Sequence, residues 1–352
     1  MSRYSRQTRI AGWKQSELAA ATVVVAGVGA LGNEVARLLA MAGVGRLVLC
    51  DPDVVEESNL HRTVLFTAED TGRPKVLAAY DTLARLAPAT QVVARPFKHA
   101  QGVGLADLRD ADLVISCLDS RAARVHLSGR CGLVGAPLLD GGTGDWGGEV
   151  RAFLEAGGAC YACTLGPGGR ATSDEPISCL QESLAEPNQG AHASISAVVG
   201  GWMGVVALRW LMKLPTPSGI TVLNASRGTS RVVEATRDLT CPLHDRIEVL
   251  QKLSIDNSAS LAMFRKLVSP GIPVLWEAVP ASSLCLHCGD FQPAWRGVPG
   301  TRCMRCGHET ELQMSLDTEQ APGELTLQHL QVPPREILAV RRAHEIRYYE
   351  LT

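Results

Sequence analysis

The sequence has few aromatic residues and almost no net charge, and these two shortages exclude several classes of protein. Phenylalanine, tryptophan and tyrosine make up 5% of the chain, and the formal net charge is -2 at pH 7. Few aromatic side chains leave little to stack on the bases of single-stranded nucleic acid. A near-neutral charge also argues against a protein that coats nucleic acid or an anionic membrane. We therefore expect neither nucleic acid nor a membrane as a partner.

The sequence also lacks the segments that direct a protein out of the cytoplasm. Its first ten residues, MSRYSRQTRI, are charged and contain no apolar core, unlike a secretory signal. The longest nearly apolar stretch, Ile195–Leu208, is too short to span a bilayer and ends at Arg209. We expect a cytoplasmic protein, where disulfides are rare. Eleven cysteines in that compartment indicate metal binding, catalysis or burial rather than a disulfide framework.

The composition does support a large folded core. Hydrophobic residues make up 46% of the 352 positions and charged residues 20%, which excludes an intrinsically disordered chain. A chain of this length predicts about two domains. The alternation of strands and helices is lost beyond residues 247–258. We therefore place one domain at residues 1–247 and a second at residues 258–352.

Strands and helices alternate in the first domain. The β-branched run Thr22–Ala26 is followed at once by a glycine-rich turn, a helix over 33–42 and a second strand, Arg46–Cys50. This order predicts a βαβ unit with the glycine-rich turn at its first crossover. The alternation continues with helices over 75–86 and 121–131 and strands over 91–97, over 112–117 and from 137. The sequence therefore predicts an α/β fold with a doubly wound, mostly parallel, Rossmann-like sheet.

The pattern changes after this alternation. Glycine-rich residues 141–158 indicate turns between antiparallel strands, and the aperiodic residues 166–192 indicate a long crossover loop. Such long loops are uncommon unless they are functional. The remaining predicted elements are an apolar helix over 193–214, short strands over 220–224 and 230–234, and a short basic helix over 334–345.

The glycine-rich turn is the first candidate binding feature. Gly27, Gly29 and Gly32 would let backbone N–H groups approach a phosphate, and the following helix N-terminus favours negative charge. Taken alone, the turn predicts a dinucleotide fold in which Asp51 binds a ribose hydroxyl. A nicotinamide-dependent oxidoreductase is therefore one hypothesis, and a tight turn that binds nothing is another.

Polar residues after successive strands favour a triphosphate instead. Asn59, Arg62 and Lys75 follow the second strand, and Asp119 follows a later one. Cations neutralise charge on phosphate oxygens, and a carboxylate at a strand end can hold Mg²⁺. Such strand ends form the ligand-binding edge of a doubly wound sheet. The pattern therefore predicts a nucleoside triphosphate and Mg²⁺ as ligands.

Five segments carry a resemblance to a known family. They are RYSRQ at 3–7, GVGALG at 27–32, DPDVVEESNLHR at 51–62, GRPKV at 72–76 and CLDSRAAR at 117–124. With this order and spacing, the chain resembles the ubiquitin-activating type of enzyme, which includes the MoeB, ThiF and HesA proteins, over about residues 3–245. The resemblance implies an adenylating fold, usually dimeric. It also implies that ATP reacts with the C-terminal carboxylate of a ubiquitin-like protein, giving an acyl-adenylate and pyrophosphate.

The resemblance implies a role for each matching residue. Gly27, Gly29 and Gly32 would line the nucleotide, Asp51 would bind the ribose, Asn59, Arg62 and Lys75 would contact the phosphates, and Asp119 would hold Mg²⁺. Arg6 resembles the family's arginine that reaches the triphosphate of the partner subunit, which implies a homodimer. Thr63 and Ser120 depart from the glutamine and asparagine of the family. Neither departure removes a main charged group, so we expect activity to survive.

Two pairs of ligands in the first domain predict a structural zinc site. Cys160 and Cys163 are separated by two residues, and Cys241 and His244 have the same spacing. Two such pairs can complete one tetrahedral Zn²⁺ site. The resembled family commonly carries two CxxC pairs at these places, so His244 departs from its pattern. Buried thiols without a metal are the alternative.

Four cysteines in the second domain form the strongest metal pattern of the chain. Cys285, Cys288, Cys303 and Cys306 form two CxxC pairs within residues 285–306, and four thiolates suffice for Zn²⁺. We predict a zinc ribbon with a structural zinc. Its role is either that of a small folded appendage or that of a docking module for a carrier protein or a conjugating enzyme.

Cys179 stands alone in the predicted crossover loop. In the resembled family, a cysteine at this place can take the activated acyl group as a thioester or carry sulfur. An exposed loop thiol suits a nucleophile if its pKa is lowered. Some family members have this cysteine without needing it, so a thiol with no catalytic role is the alternative.

One main hypothesis and three alternatives follow. The main hypothesis is ATP-dependent adenylation of the C-terminal carboxylate of a ubiquitin-like protein, with thioester transfer to Cys179 as an optional second step. The alternatives are activation of a sulfur-carrier protein for cofactor synthesis, adenylation of a peptide or small carboxylate in natural-product synthesis, and a non-catalytic scaffold. The presence of Arg62, Lys75 and Asp119 disfavours the scaffold and the oxidoreductase.

Overall fold

The protein is described by a computed structural model over residues 3–165, 192–295, 302–343 and 345–352. The chain divides into two units. The first consists of Met1–His99 and Leu108–Arg246, and the second of Ala100–Asp107 and Ile247–Thr352. The sequence predicted a boundary between residues 247 and 258, and it contained no sign that a short internal segment would join the second unit.

An eight-stranded sheet forms the centre of the first unit. Its strands are β1 Thr22–Ala26, β2 Arg46–Cys50, β3 Gln91–Arg95, β4 Leu113–Ser116, β5 Leu138–Gly144, β6 Gly147–Phe153, β7 Gly219–Asn224 and β8 Thr229–Val233. Their order across the sheet is β3-β2-β1-β4-β5-β6-β7-β8. The first five strands are parallel, and the last three continue the sheet antiparallel. This arrangement confirms the predicted α/β, mostly parallel, Rossmann-like fold.

Helices connect the parallel strands, while the first precedes β1 and the last lies between the antiparallel strands β6 and β7. They are α1 Gln15–Ala20, α2 Ala30–Ala42, α3 Lys75–Leu86, α4 His99–Gly102, α5 Leu105–Arg109, α6 Arg121–Val134 and α7 Ala193–Leu211. The helix predicted over 33–42 begins three residues earlier, because Gly29 has an extended backbone and is the N-cap residue. The second half of the glycine-rich turn is therefore the first turn of α2. Its N-terminal N–H groups point towards the carboxyl ends of the parallel strands.

Helix α7 is apolar because one of its faces lies in the core of the first unit. Ile195, Val199 and Met203 are buried in the same hydrophobic cluster as strands β1 and β2. Among the described residues, this one helix is long and apolar enough to cross a membrane, and half of its apolar window is buried. Its other face exposes Val198, Trp202 and Val205. A buried core helix of this length accounts for the run of apolar residues in the sequence.

The second unit contains a six-stranded sheet. Its strands are β9 Leu250–Lys252, β10 Ile272–Cys285, β11 Phe291–Pro293, β12 Thr310–Asp317, β13 Ile337–Arg341 and β14 Ile346–Glu350. Their order is β11-β10-β13-β14-β9, and β12 pairs with β10. Helix α8, Leu261–Val268, contributes Leu261, Phe264 and Val268 to a separate hydrophobic core.

The short basic helix predicted over residues 334–345 is wrong, because this segment contains strand β13. Residues Ile337–Val340 are buried, and β13 pairs antiparallel with β10 on one side and β14 on the other. A central strand is buried on both faces, so it shows no alternation of polar and apolar residues. The flanking arginines made the segment look amphipathic, whereas tertiary pairing decides its conformation.

The internal segment Ala100–Asp107 is held in the second unit by specific hydrogen bonds. The Leu105 N–H donates to Glu336 Oε1 at 3.0 Å, and the Arg335 guanidinium donates to Asp107 Oδ1 at 2.9 Å. Gly104 packs so closely that a β-carbon would collide with the carbonyl oxygens of Pro334 and Arg335. The second unit therefore includes a segment that ends 140 residues before Ile247 in the chain.

Candidate active site and metal centres

The three glycines of the turn after β1 have different surroundings. Gly27 has φ +88°, and a β-carbon there would lie 2.5 Å from the carbonyl oxygen of Cys117. A β-carbon on Gly32 would collide with the carbonyl oxygen of Gly27. A β-carbon on Gly29 would meet no protein atom within 4 Å. Gly27 and Gly32 are therefore required by packing, whereas Gly29 leaves an open space at the N-terminus of α2 that a phosphate could enter.

This difference predicts that alanine substitutions at Gly32 and Gly29 affect different properties, stability in the first case and ATP affinity in the second. Gly32→Ala should lower the free energy of unfolding by about 1–3 kcal/mol or more, because overpacking forces the backbone apart. Gly29→Ala should leave stability within about 0.5 kcal/mol and weaken ATP binding, because its methyl group fills the open space. Chemical denaturation and ATP titration calorimetry measure the two effects. A destabilised Gly29→Ala protein with unchanged ATP affinity would contradict the distinction.

Asp51, at the end of β2, is tied to the glycine-rich turn. Its Oδ2 accepts a hydrogen bond from the Val28 N–H at 2.6 Å, and its Oδ1 accepts one from the Asp53 N–H at 2.9 Å. Burial raises the pKa of this carboxyl group, although the two N–H donors oppose the shift. Each oxygen keeps a further lone pair for a donor such as a ribose hydroxyl. The position fits the predicted ribose contact, and the carboxylate also holds the turn in shape.

Lys75 is placed at the first position of α3 by Asp53. The Lys75 Nζ lies 2.8 Å from Asp53 Oδ2, and the Lys75 N–H donates to the Asp53 carbonyl oxygen at 2.9 Å. Asp53 is two residues from Asp51, so the Lys75 ammonium group lies near the glycine-rich turn. Its positive charge opposes the rise in the pKa of the Asp51 carboxyl group that burial causes. The structure therefore places Lys75 and Asp51 in one neighbourhood, and their contacts with a nucleotide stay predictions.

Asn59, Arg62 and Thr63 lie in one short turn after β2. The Asn59 Oδ1 accepts the Glu56 N–H at 3.2 Å, and the Thr63 hydroxyl donates to the Asn59 carbonyl oxygen at 3.0 Å. The Arg62 guanidinium donates to the Ser58 carbonyl oxygen at 3.1 Å and has no acidic partner in the described parts of the chain. Arg62 thus presents a cation without a nearby carboxylate, and Thr63 has a structural role in this turn.

Asn33 joins the glycine-rich turn to the segment that follows Thr63, and the sequence reasoning missed it. Its side-chain amide donates to the Val28 carbonyl oxygen at 2.7 Å, and its Oδ1 accepts the Leu65 N–H at 2.9 Å. The side chain is fully buried. A buried polar group with its hydrogen bonds made stabilises a unique arrangement. The sequence shows a polar residue directly after GVGALG, but Glu34 and Arg37 in the same helix are also polar, so nothing local singled Asn33 out.

Asp119 follows β4 at the same edge of the sheet. Its side chain is exposed, and the next residue, Ser120, is the N-cap of α6 and accepts the Ala123 N–H at 3.1 Å. Two residues earlier, the carbonyl oxygen of Cys117 faces Gly27. The carboxylate therefore follows the loop that packs on the glycine-rich turn, and it remains available to a cation. Ser120 serves as a helix cap, which explains how this departure from the family is accommodated.

Arg6 lies far from the other candidate residues of its own chain. Its neighbour Gln7 donates to the carbonyl oxygen of Ala42 at the C-terminal end of α2, whereas Gly29 is at the N-terminal end. A helix of 13 residues is about 20 Å long. The Arg6 side chain is exposed. The structure therefore does not bring Arg6 to the glycine-rich turn of the same chain.

The four predicted zinc ligands of the first unit come together. The ligand atoms of Cys160, Cys163, Cys241 and His244 all lie within 4.8 Å of one another. Cys160 Sγ is 3.7 Å from the Sγ atoms of both Cys163 and Cys241, and Cys163 Sγ is 3.1 Å from His244 Nε2. Tetrahedral Zn²⁺ with ligands at about 2.0–2.3 Å places them at such separations. Three sulfurs and one imidazole nitrogen are a donor set that fits zinc.

The four cysteines of the second unit form a similar group at the end of β10. Their sulfur atoms lie within 4.8 Å of one another, with 3.5 Å between Cys285 and Cys306 and 3.7 Å between Cys288 and Cys303. Strands β10, β11 and β12 carry the group, so the predicted ribbon continues the sheet of this unit. The imidazole rings of His287 and His308 stack at 3.8 Å beside it.

The other cysteines divide into buried thiols and one outside the described residues. Burial raises the pKa of Cys50 and of Cys131 to about 12, and it also raises that of Cys117, so none of these three is a nucleophile near neutral pH. Cys179 and residues 166–191 of the predicted crossover loop lie outside the described residues.

Residues 4–243 match the ThiF family. The chain belongs to the ThiF family. It is 34% identical over 253 residues to a sulfur carrier protein adenylyltransferase of Thermus thermophilus, which covers 69% of this chain and 90% of that protein. It is 33% identical over 250 residues to the sulfur carrier protein ThiS adenylyltransferase of Escherichia coli, covering 68% and 94%. This ThiF-family chain is therefore an ATP-dependent adenylyltransferase of the ThiF/MoeB type.

Other similarities concern a part of the relative or the fold alone. The adenylyltransferase and sulfurtransferase MOCS3 of Mus musculus is 40% identical over 166 residues, which are 46% of this chain and 36% of that protein. The crystal structure of Escherichia coli MccB with ATP matches with a TM-score of 0.56 and 20% identity, covering 69% of this chain and 74% of MccB. PaaA matches with a TM-score of 0.52 and 21% identity, covering 67% and 73%. These solved structures support the fold of the ThiF-type unit.

Proposed function

We propose that this protein activates the C-terminal carboxylate of a sulfur-carrier protein by adenylation with ATP. The observation that carries the proposal is the ThiF match over residues 4–243, together with relatives that are named as adenylyltransferases of sulfur carrier proteins. These names favour sulfur-carrier activation over the ubiquitin-like modifier of the main hypothesis. Both substrates end in a carboxylate that a mixed anhydride with AMP would activate. We place the reaction in the cytoplasm.

The proposed roles follow from the positions of the side chains. Open space at Gly29 would admit the phosphates to the N-terminus of α2, and Asp51 would bind the ribose. Lys75, Asn59 and Arg62 would contact the phosphates. Asp119, as an exposed carboxylate at the strand edge, would hold Mg²⁺, which neutralises phosphate charge when bound. Gly27 and Gly32 would shape the turn around the nucleotide.

The proposed reaction needs no nucleophile from the protein. A carboxylate oxygen of the carrier attacks the α-phosphorus of ATP, the bond from that phosphorus to the bridging oxygen breaks, and pyrophosphate leaves. The lysine and arginine side chains would stabilise the negative charge that develops on the phosphate oxygens. Holding the two reactants in line would supply much of the remaining acceleration. The product is a carrier acyl-adenylate.

We also propose that the working form is a homodimer. Arg6 is about one length of α2 away from the glycine-rich turn of its own chain, so it would act in the site of a second copy. The exposed apolar face of α7, with Val198, Trp202 and Val205, is a surface that a second copy would cover. A two-fold arrangement would give two equivalent sites, each with one arginine from the other chain.

Complementation tests this arrangement. Arg6→Ala and Asp119→Ala should each lower activity by about 100-fold or more, because each removes a charge near the reacting phosphates. A dimer purified with one copy of each variant should recover about half of the wild-type activity, since one of its two sites contains both intact residues. No recovery in the mixed dimer would contradict the action of Arg6 across the interface.

We propose structural roles for both zinc sites. Each site would use four protein ligands, Cys160, Cys163, Cys241 and His244 in one case and Cys285, Cys288, Cys303 and Cys306 in the other, so no coordination position is open for chemistry. Cys179 as a thioester-forming nucleophile, and the second unit as a docking module for a carrier or conjugating enzyme, stay predictions. Thioester formation belongs to the main hypothesis of ubiquitin-like activation, whereas a docking module would serve either substrate.

The deciding experiment is pyrophosphate–ATP exchange. The probes are a ThiS-type sulfur-carrier protein that ends in glycine, a ubiquitin-like modifier, and the same carrier without its last residue. Exchange that depends on the intact sulfur carrier supports the proposal, and exchange with the modifier alone would favour the main hypothesis instead. No exchange with any carrier at saturating Mg²⁺ would overturn adenylation of such substrates.

A further inference from the structure

Four charged side chains on α6, β5 and β6 form a buried cluster near the end of β4, the strand that Asp119, the candidate Mg²⁺ ligand, follows. The Asp140 Oδ2 on β5 lies 2.7 Å from Arg124 Nη1 on α6 and 2.6 Å from Arg151 Nη1 on β6. The Arg151 Nη2 in turn lies 2.6 Å from Glu149 Oε2. The side chains of Asp140, Arg151, Arg124 and Glu149 are between 1% and 11% exposed. Two carboxylates and two guanidiniums leave the cluster without net charge.

Stability alone does not account for this cluster. Replacing buried ion pairs with apolar side chains of similar size is often neutral or stabilising, because desolvation of the charges is costly. The hydrogen bonding is also incomplete among the described residues, since the buried Asp140 Oδ1 and Ser116 Oγ have no partner there. Ser116 and Asp140 are register neighbours in the parallel pair β4 and β5. If the cluster served stability alone, we would expect both of these buried oxygens to have hydrogen-bond partners.

The cluster lies at the level where β4 ends and the chain turns towards Asp119. Ser116 is the last residue of β4 and pairs with Asp140. Two residues further along β5, a β-carbon on Gly142 would lie 3.5 Å from the Arg124 Nη atoms. The Arg124 guanidinium is therefore at the ligand edge of the sheet, level with the loop that carries Asp119, rather than in the middle of the sheet.

Arg124 is connected to Asp119 through the first turn of α6. The Arg124 N–H donates to the Ser120 carbonyl oxygen at 3.2 Å, and the Ser120 hydroxyl caps the same turn. Asp119 directly precedes Ser120, and its exposed carboxylate makes no hydrogen bond or ion pair with another described residue. Its direction therefore depends on the backbone on either side, which packs against Gly27 at Cys117 and which the Arg124–Asp140 ion pair holds against β5 through the first turn of α6.

We propose that Asp140 is a positioning residue for Asp119. Through Arg124 it holds the first turn of α6 in place, so that the Asp119 carboxylate is already directed towards the cation of the bound nucleotide. Arg151 and Glu149 hold Asp140 from the other side. This inference rests on the proposed role of Asp119 in binding Mg²⁺. It adds a residue that cation binding requires although that residue does not itself contact the nucleotide.

The test measures cation affinity in the full-length chain. Mn²⁺ replaces Mg²⁺, a non-hydrolysable ATP analogue saturates the protein, and electron paramagnetic resonance reports free Mn²⁺. Asp140→Asn should weaken Mn²⁺ binding by about tenfold or more, in the range found when groups that orient a metal ligand are removed. In exchange assays the Mg²⁺ concentration for half-maximal rate should rise by a similar factor, whereas the KM for the carrier should stay unchanged.

A double variant separates positioning from folding. Arg124→Leu with Asp140→Leu removes one charge of each sign and leaves the Arg151–Glu149 pair intact, so the melting temperature should stay close to that of the wild type. Mn²⁺ binding should nevertheless be as weak as in Asp140→Asn. Wild-type Mn²⁺ affinity in the folded double variant would overturn the proposal, because the positioning contact is then absent without effect.

The Asp119→Ala variant distinguishes this proposal from the proposed function. If Asp119→Ala loses Mn²⁺ binding but Asp140→Asn keeps wild-type affinity, only the positioning role is overturned. If Asp119→Ala binds Mn²⁺ as the wild type does, the assignment of Asp119 is overturned and the positioning role with it. Loss of affinity in Asp119→Ala, Asp140→Asn and the double variant is the result we expect.

Discussion

Asp119→Ala is expected to lower carrier-dependent pyrophosphate–ATP exchange by about 100- to 1,000-fold or more, the range seen when one electrostatic contact to the transition state is lost. The side chain is exposed at the end of β4, and the backbone of its loop packs against Gly27. Alanine removes the carboxylate and leaves the helix cap at Ser120 intact. The rate should therefore fall without a change in melting temperature. Exchange is measured with labelled pyrophosphate at saturating carrier and ATP.

Two control variants define what this result means. Asp110→Ala removes a partly exposed carboxylate before the amino end of β4, where it pairs with Arg109, and it should keep wild-type exchange. Cys179→Ala should also keep exchange, because adenylation precedes any transfer to a thiol, and it should lose a thioester if one forms. Near-normal exchange in Asp119→Ala would contradict the assignment of this residue. Equal losses in Asp119→Ala and Asp110→Ala would indicate a general electrostatic effect.

Cys241→Ala is expected to halve the zinc content, from about two ions per chain to about one, and to destabilise the first unit. The site is built against α6, since Leu243 packs on Gly129 and a β-carbon on Gly132 would collide with the Leu243 carbonyl oxygen. Structural zinc contributes about 10–16 kcal/mol in isolated zinc-finger peptides. This unit has its own core, so we expect a loss of only a few kcal/mol, which is a fall in melting temperature of about 5–15 °C.

The matched control is Cys288→Ala in the second unit. It should also reduce the zinc content to about one ion per chain, but it should leave exchange and the melting transition of the first unit unchanged, because that unit has a separate core. Elemental analysis measures the zinc, and calorimetry measures the transitions. Two zinc ions retained in Cys241→Ala would contradict the assigned ligands. Loss of exchange in Cys288→Ala would show that the ribbon contributes to adenylation.

Local patterns predicted the parts of the fold in which one short segment determines its own structure. Strands Thr22–Ala26 and Arg46–Cys50 and helix Lys75–Leu86 have the predicted bounds, because their apolar periodicity agrees with their burial. The metal ligands were also predictable, since two residues between donors are a local requirement of a tetrahedral site. The segment around β13 was not predictable in this way, because its burial comes from β10 and β14 on either side.

The candidate active site shows the same division. Gly29, Asp51 and Asp119 could be proposed from the sequence, because each follows a strand within three residues and strand ends meet at one edge of a parallel sheet. Asn33 and Asp140 could not, because their importance depends on partners that are distant in sequence. The Leu65 N–H is 32 residues from Asn33, and Arg124 is 16 residues from Asp140.

The sequence by itself determined the α/β class, the glycine-rich turn and the two sets of metal ligands. Tertiary structure alone decided that Ala100–Asp107 joins the second unit, that Arg6 lies away from the glycine-rich turn of its own chain, and that Asp140 pairs with Arg124 in the first turn of the helix that follows Asp119. The physical reason is the range of the interactions. Periodicity, turns and ligand spacing act over a few residues, whereas strand pairing and buried ion pairs join residues that only the folded chain brings together.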